Sequence, residues 1–117
     1  MDSYSLVDKI IHVLDKKKAE KIKVIKIDEL TVLADYFIIA SGTSNTHVRS
    51  LCEDVEDTVS SELGIEPRNI EGKATGWILI DYGDVVLHVF TPEQRAYYDL
   101  ERLWSDAEEL EFDDIES

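Results

Sequence analysis

The segment "GWILIDYGDVVLHVF", residues 76–90, contains two apolar runs separated by Gly83 and Asp84. Glycine at the first central position of a two-residue turn is typical of a type II′ β-hairpin. Counting outward from this turn gives one face on which every cross-strand pair is apolar. These pairs are Tyr82 with Val85, Ile80 with Leu87 and Ile78 with Val89. We expect this face to lie in the core of the protein.

The other face of the hairpin combines large apolar side chains with a carboxylate and an imidazole. Its pairs are Asp81 with Val86, Leu79 with His88 and Trp77 with Phe90. Two interpretations remain open. Helices cover this face and local hydrogen bonds satisfy its polar groups, or the face is a recognition surface built from an aromatic anchor and a few polar groups. The pairing itself depends on register, because a slip of one residue would exchange the two faces.

The residues before the hairpin predict helices and strands in alternation. Apolar residues at helical spacing predict an amphipathic helix over residues 3–18. The segment "KIKVIKID", residues 21–28, has the period of a half-exposed strand. The segment "DYFIIAS", residues 35–41, is apolar at consecutive positions, which is typical of a central strand covered on both faces.

A long second helix is predicted to begin with Thr43 or Ser44 as its N-cap and to end at Gly64. Its apolar stripe includes Cys52, so we expect a buried thiol rather than a nucleophile. Because Cys52 is the chain's single cysteine, the sequence excludes an internal disulfide framework and a multi-cysteine metal site.

A short edge strand before the hairpin and a helix after it complete the predicted fold. The edge strand falls in residues 65–72. The "TPEQ" sequence at residues 91–94 can cap a helix that runs to about Trp104, and we expect its two tyrosines to pack in the core. The fold class is therefore α/β, a single domain with a mixed β-sheet flanked by helices. We place this domain at residues 1–105 and expect the acidic residues 106–117 to form a flexible tail.

The net charge of -14 restricts the classes of partner. Phosphate binding depends on Lys and Arg displacing counterions, so the charge argues against a direct grip on nucleic acid. A basic partner suits it better, although a merely solvated acidic surface remains an open alternative. Because no apolar run approaches membrane-spanning length, we expect a soluble cytoplasmic protein without membrane contact.

The turn "SGTSN", residues 41–45, joins a strand to a helix N-terminus, where exposed N–H groups could hold an anion. A nucleotide-binding or nucleotidyltransferase-type enzyme that uses this turn is therefore an alternative hypothesis. The signal is weak, because the turn lacks the glycine-rich phosphate-binding motifs and no Asp-x-Asp follows a strand nearby. The three histidines fall on three different predicted elements, so we expect no metal site and no cofactor.

Several stretches taken together resemble the ribosomal silencing factor family, also called the Iojap or YbeB family. These stretches are "DYFIIASGTSNTHVRSL", "IEG" followed by "WILIDYGDVVLHVF", and "RAYYDLERLW". The resemblance runs in order over residues 6–104, which is nearly the whole chain. The tail after Ala107 is not part of the pattern, and "GKATGW" varies where the family also varies.

The resemblance implies a fold like that of nucleotidyltransferases but without their catalytic carboxylates, and an activity that is not enzymatic. It implies binding to the large ribosomal subunit through the basic ribosomal protein L-fourteen, which hinders joining of the small subunit and represses translation when nutrients are scarce. It also implies a homodimer when the protein is free. The family's contact region, transferred to this sequence, comprises Trp77, Ile78, Leu79, Asp81 and Asp84. We add His88 from the pairing of the hairpin.

Overall fold

The computed structural model describes residues 3–72 and 76–110, and within them it contains one six-stranded sheet and four helices. The elements are α1 (Ser3–Lys16), β1 (Glu20–Lys26), β2 (Tyr36–Ser41), α2 (Asn45–Leu63), β3 (Asn69–Glu71), β4 (Trp77–Asp81), β5 (Val85–Phe90), α3 (Pro92–Tyr98), α4 (Leu100–Leu103) and β6 (Glu108–Leu110). The strand order is β3-β4-β5-β2-β1-β6. The single mixed α/β domain predicted from the sequence is confirmed.

The parallel pair of β2 and β5 forms the centre of the sheet. All six residues of β5 are buried, as are five of the six residues of β2. Burial at consecutive positions means that side chains on both faces of these strands are covered. The central position predicted for residues 35–41 is confirmed, and so is the edge position of the strand before the hairpin.

Helices α1 and α2 pack against one face of the sheet and enclose the larger core cluster. Ser44 caps α2 by accepting a hydrogen bond from the His47 backbone N–H at 3.1 Å, and Gly64 ends the helix in a left-handed conformation. Cys52 is 2% exposed within this cluster, so the buried thiol is confirmed.

Strand β1 differs from the half-exposed strand predicted for residues 21–28. Val24 and Ile25 point to opposite faces, yet they are only 2% and 5% exposed. Val24 belongs to the core under the helices, whereas Ile25 belongs to a second cluster on the opposite face of the sheet. The half-exposed interpretation is confirmed for residues 21–23 and wrong at Ile25, which is covered by residues distant in sequence.

The C-terminal helix is interrupted at Asp99, which has a positive φ of 47° and separates α3 from α4. The break is bridged by an ion pair between Arg95 Nε and Glu101 Oε1 at 2.9 Å. It turns Tyr97 and Tyr98 outward, leaving them 79% and 47% exposed. The expectation that the two tyrosines pack in the core is therefore wrong, since it assumed one continuous helix.

The last described residues form β6, an edge strand that pairs with β1 from Val24 to Lys26. This pairing corrects the expectation of a flexible segment for Glu108–Leu110. Residues 111–117 lie outside the described residues, and the domain boundary after residue 105 stays a prediction.

The junction of β2 with the following turn allows a stability test at Gly42. A Cβ atom at this position would lie 2.9 Å from both the backbone N and Cγ2 of Val48. We expect Gly42→Ala to lower the free energy of unfolding by about 2 kcal/mol, as overpacking does. Urea denaturation followed by circular dichroism measures this change. Thr46→Ala, at an exposed position in the first turn of α2, is the matched control and should leave stability nearly unchanged; equal stability of the two variants would contradict the close packing.

Candidate protein-binding surface

The hairpin of β4 and β5 has the register counted from the sequence. Trp77 pairs with Phe90, Leu79 with His88 and Asp81 with Val86. The positive φ of Gly83, 92°, fits the turn type expected between these strands. The assignment of side chains to the two faces is therefore confirmed.

The wholly apolar face lies in the core beneath α1 and α2, as predicted. Ile78 belongs to this face and is 2% exposed. Because side chains alternate along a strand, Ile78 points away from the face that carries Trp77 and Leu79. This corrects the inclusion of Ile78 among the partner-binding residues, since a partner at the open face could not reach it.

The second face is covered over β5 and left half open over β4. Val86, His88 and Phe90 of β5 are all buried. The apolar residues of the C-terminal segment that pack against this cluster are Leu100, Trp104 and Ala107. Trp77, Leu79 and Asp81 of β4 are only half-buried. The face is therefore covered over β5, and a recognition surface on β4 stays a prediction.

We define the hairpin surface as Trp77, Leu79, Asp81 and Asp84 with the adjacent Tyr98. Trp77 packs against two rings, with ring centroids 4.4 Å from Tyr98 and 4.9 Å from Phe90. Its indole Nε1 donates a hydrogen bond to Nδ1 of His88 at 3.2 Å. These contacts fix the orientation of a half-exposed aromatic side chain, which is the arrangement of a preorganised anchor.

His88 is 3% exposed and supports the hairpin surface from below rather than forming part of it. This corrects its assignment as a contact residue. Because Nδ1 accepts the hydrogen bond from Trp77, we assign the imidazole proton to Nε2. Nε2 is buried without a hydrogen-bond partner in the described residues. Burial disfavours the charged imidazolium and lowers the pKa of His88 to about 4.

Acidic side chains flank the anchor. Asp81 Oδ1 accepts a hydrogen bond from the Gly83 backbone N–H at 2.7 Å, which holds this carboxylate beside the turn. Asp84 is exposed, while its carbonyl oxygen accepts hydrogen bonds from the backbone N–H groups of Asp35 and Tyr36 at 2.8 Å and 3.1 Å. The hairpin surface thus presents a rigid aromatic group with carboxylates on a fixed backbone, a combination suited to Lys or Arg.

Two residues of this region were missed by sequence reasoning. Glu71 of β3 is exposed and pairs directly with Leu79, so it adds a carboxylate beside the surface. Hairpin counting could not find it, because the register of β3 depends on a connection of unknown geometry. Tyr98 was missed because helical spacing assigned it to the core. The next residue, Asp99, was the signal that the helix ends there, since Asp tolerates the left-handed conformation that ends a helix.

The turn from Ser41 to Asn45 uses several of its polar groups internally. The Thr43 backbone N–H donates to His47 Nδ1 at 2.9 Å, and the His47 backbone N–H donates to Ser44 Oγ at 3.1 Å. A shallow pocket of about 180 Å³ beside it is also lined by Glu93, whose carboxylate opposes an anion. Nothing in this geometry favours the nucleotide-binding hypothesis over the hairpin surface.

The described residues contain no group of three or more His, Cys, Asp or Glu side chains placed to hold a metal ion. Among the same residues, every helix is too short or too polar to cross a lipid bilayer. The hairpin surface combines a half-buried aromatic anchor with carboxylates.

Comparison with known proteins assigns the chain to a family. The model of the family described as "Ribosomal silencing factor during starvation" matches residues 1–117. The chain belongs to the ribosomal silencing factor family. It is 37% identical over 116 residues to the ribosomal silencing factor of Halalkalibacterium halodurans, with 98% of each chain covered. It is 34% identical over 105 residues to the mouse protein "Mitochondrial assembly of ribosomal large subunit protein 1", covering 85% of this chain and 45% of that protein.

A crystal structure supports the same assignment. A protein from Chromobacterium violaceum is 35% identical and superposes with a TM-score of 0.85, covering 90% of this chain and 88% of the other. The resemblance inferred from the sequence motifs is confirmed. Silencing of the ribosome is regulation of translation, so membership of the ribosomal silencing factor family places the chain among translation regulators.

The buried His88 of this family member makes stability depend on pH. Between about pH 6.5 and pH 4 the unfolded state binds the histidine proton and the folded state does not. The free energy of unfolding should therefore fall as the pH falls through this window, by roughly 3 kcal/mol at its lower end. His88→Asn keeps an acceptor for Trp77 but cannot take up this proton.

The measurement is urea denaturation of both proteins at several pH values. Carboxylates titrate in both proteins, so the difference between their two curves of stability against pH isolates the contribution of His88. We expect this difference to change steadily between pH 6.5 and pH 4. A constant difference across the window would show that His88 does not resist protonation in the folded protein.

Proposed function

We propose that this chain binds the large ribosomal subunit through ribosomal protein L-fourteen, blocks joining of the small subunit and so represses translation under nutrient limitation. Membership of the ribosomal silencing factor family supports the ribosomal target. The name of the mouse relative refers to the large subunit of a ribosome, which supports the choice of subunit. The contact with L-fourteen comes from the resemblance of the hairpin sequence to the family's contact region.

The observation that carries this proposal is the half-open hairpin surface. A half-buried apolar residue is ordinary by itself, but the ring and the N–H group of Trp77 are also held by Tyr98, Phe90 and His88. A side chain already fixed in one orientation loses little conformational entropy on binding. Trp77 therefore has the properties of a binding hot spot.

Charge complementarity favours a basic protein as the partner at this surface. Asp81 and Asp84 lie at the hairpin turn, and Glu71 lies across from Leu79. These carboxylates would accept hydrogen bonds from Lys or Arg of L-fourteen. The overall charge of -14 would also accelerate the encounter with a cationic protein and make the association sensitive to salt.

The proposed mechanism requires occupancy of the subunit interface and no chemical reaction. A bound domain about 30 Å across would overlap sterically with an approaching subunit. Its excess negative charge would also oppose the RNA of that subunit. The proposal therefore includes a non-enzymatic activity on a nucleotidyltransferase-like fold without the catalytic carboxylates.

We also propose that the free protein is a homodimer in the cytoplasm. The hairpin surface supports dimerisation, because a half-exposed tryptophan beside two exposed tyrosines is an apolar area that a second copy could cover. In this arrangement the dimer contact and the ribosomal contact share residues.

The experiment that tests the proposed function is co-sedimentation of purified protein with separated large and small subunits. A second gradient contains both subunits at moderate magnesium concentration. We expect the protein to sediment with the large subunit alone and to reduce the peak of joined particles. Protein that stays at the top of every gradient would overturn the proposal.

Truncation of the anchor is the first test of the surface. We expect Trp77→Ala to weaken binding to the large subunit by about 2 kcal/mol or more, because a preorganised aromatic group is lost. The control is Tyr4→Ala, which removes another half-exposed aromatic side chain from α1 on the opposite face of the sheet. Affinity from sedimentation and folding from circular dichroism are measured for both variants. Equal affinities with intact folds would remove Trp77 from the interface.

Charge reversal tests the electrostatic part of the proposal. We expect Asp81→Lys to weaken subunit binding by more than it lowers stability, because it would place a cation opposite Lys or Arg of the partner. Asp57→Lys introduces the same charge change at an exposed position on α2 and is the matched control. If the two reversals weaken binding equally, only net charge matters and Asp81 makes no specific contact.

A further inference from the structure

The basic residues of this acidic chain are concentrated in one short segment. Residues 15–26 contain six lysines and two acidic residues, so they hold half of the chain's 12 basic residues. The segment covers the end of α1, the turn after it and strand β1. The proposed function makes no use of these lysines.

Three of the lysines lie at the turn without an ion pair in the described part of the chain. Lys17 approaches Asp54 at 3.8 Å, and Lys23 approaches Glu109 at 3.7 Å. The others at the turn, Lys16, Lys18 and Lys21, are exposed. We define the lysine turn as residues 16–21.

The backbone of the lysine turn is strained at two of these positions. Lys18 has a φ of 67° and Lys21 a φ of 52°, in the left-handed region that L-residues with a Cβ atom rarely adopt. Lys18 follows the last residues of α1, a position where glycine is preferred. Both sites thus carry a lysine where glycine would be less strained.

The lysine turn is also held in place. His47 Nε2 donates a hydrogen bond to the Lys17 carbonyl oxygen at 3.0 Å, while its Nδ1 accepts one from the Thr43 backbone N–H. Through His47 the turn is attached to the beginning of α2. The lysines therefore project from a fixed backbone rather than from a mobile loop.

The acidic hairpin turn lies at the opposite end of the sheet. Glu20 pairs with Ser41 and Ser41 with Phe90, whereas Asp84 lies beyond the other end of β5. The six residues of β5 span about 17 Å. Salt at physiological concentration screens charges beyond about 8 Å, so a phosphate group near the lysines is insulated from the hairpin carboxylates. Nearer carboxylates are Asp54 beside Lys17, and Glu20, Glu101 and Glu109 in the pocket that Lys21 and Lys23 also line. The potential at this end is set by these groups together with the lysines.

We propose that the lysine turn contacts phosphate groups of ribosomal RNA while the hairpin surface holds the basic ribosomal protein. The inference rests on the proposed function, which brings the chain to a particle whose surface is largely RNA. Exposed lysines on a fixed backbone suit phosphates, which are recognised by charge and counterion release rather than by an apolar pocket. This proposal departs from the expectation based on net charge alone, which is that no direct contact with nucleic acid forms.

The test uses a triple variant, Lys16→Gln, Lys18→Gln and Lys21→Gln, with a matched control that removes three other cations that form no ion pair with another described residue. The control carries Lys26→Gln, Arg49→Gln and Arg102→Gln. Affinity is measured over a range of KCl concentrations for purified large subunits and, separately, for the isolated basic ribosomal protein. Each lost phosphate contact should reduce the slope of log affinity against log salt by about 0.7 to 0.9.

We expect the lysine variant to bind whole subunits more weakly, with a slope shallower by about 2 to 3. Its affinity for the isolated protein should equal that of the control. Equal slopes for both triple variants, or an equal loss toward the isolated protein, would overturn the RNA contact and leave the proposed function intact. Absence of wild-type binding to both targets would overturn the proposed function and this inference together.

A single substitution separates the effect of the Lys18 charge on binding from the effect of its backbone strain on stability. Lys18→Gly relieves the left-handed strain, so we expect its melting temperature to rise by a few degrees. Its subunit affinity should nevertheless fall, with a slope shallower by about one. Higher stability with unchanged affinity and slope would show that Lys18 makes no phosphate contact.

Discussion

The fully buried strand β5 imposes the constraint on which the rest of the structure depends. A strand buried at every position needs apolar cover on both faces of the sheet. Helices α1 and α2 provide it on one face. On the other face, within the described residues, the C-terminal segment covers the middle of the sheet: Trp104 packs on Phe37 of β2 and Tyr98 on Phe90 of β5, and β4 is left half open. The candidate binding surface exists because this second layer is narrower than the sheet.

The open strand is kept rigid by a polar arrangement that is costly in itself. His88 is buried with one ring nitrogen unpaired among the described residues, a situation that lowers stability by roughly 1–3 kcal/mol. In return its other nitrogen fixes the indole of Trp77. Selection for stability alone would favour an apolar residue at position 88. We therefore explain the imidazole by its hydrogen bond to Trp77. The unpaired nitrogen destabilises the core, and the fixed orientation of the indole favours binding at the surface.

The sequence predicted those features that depend on local pattern. The hairpin register followed from Gly83 and the alternation of apolar residues, and the central position of β2 from its continuous apolar run. The features that were missed depend on contacts between distant segments. Ile25 is buried by a C-terminal segment that also supplies β6, and Tyr98 is exposed because Asp99 breaks a helix whose spacing looked continuous.

The same distinction applies to the candidate site. Counting assigned Trp77 and Asp81 to one face correctly, but it could not say which strand of that face would be covered. His88 shares the face and lies under the cover, whereas Ile78 lies on the other face altogether. Alternation gives the direction of a side chain, and only the tertiary structure gives its accessibility.

One surface for two partners has a thermodynamic consequence. If a second copy and the ribosomal protein both bury Trp77, dimerisation and ribosome binding exclude each other, and the affinity for the subunit falls as protein concentration rises. The lysine turn is not part of the hairpin surface, because it lies at the end of β1, three strands away from Trp77 on β4. A contact there would add binding free energy to the ribosomal complex alone. It would shift the equilibrium from the dimer toward the ribosome without any change in the hairpin surface.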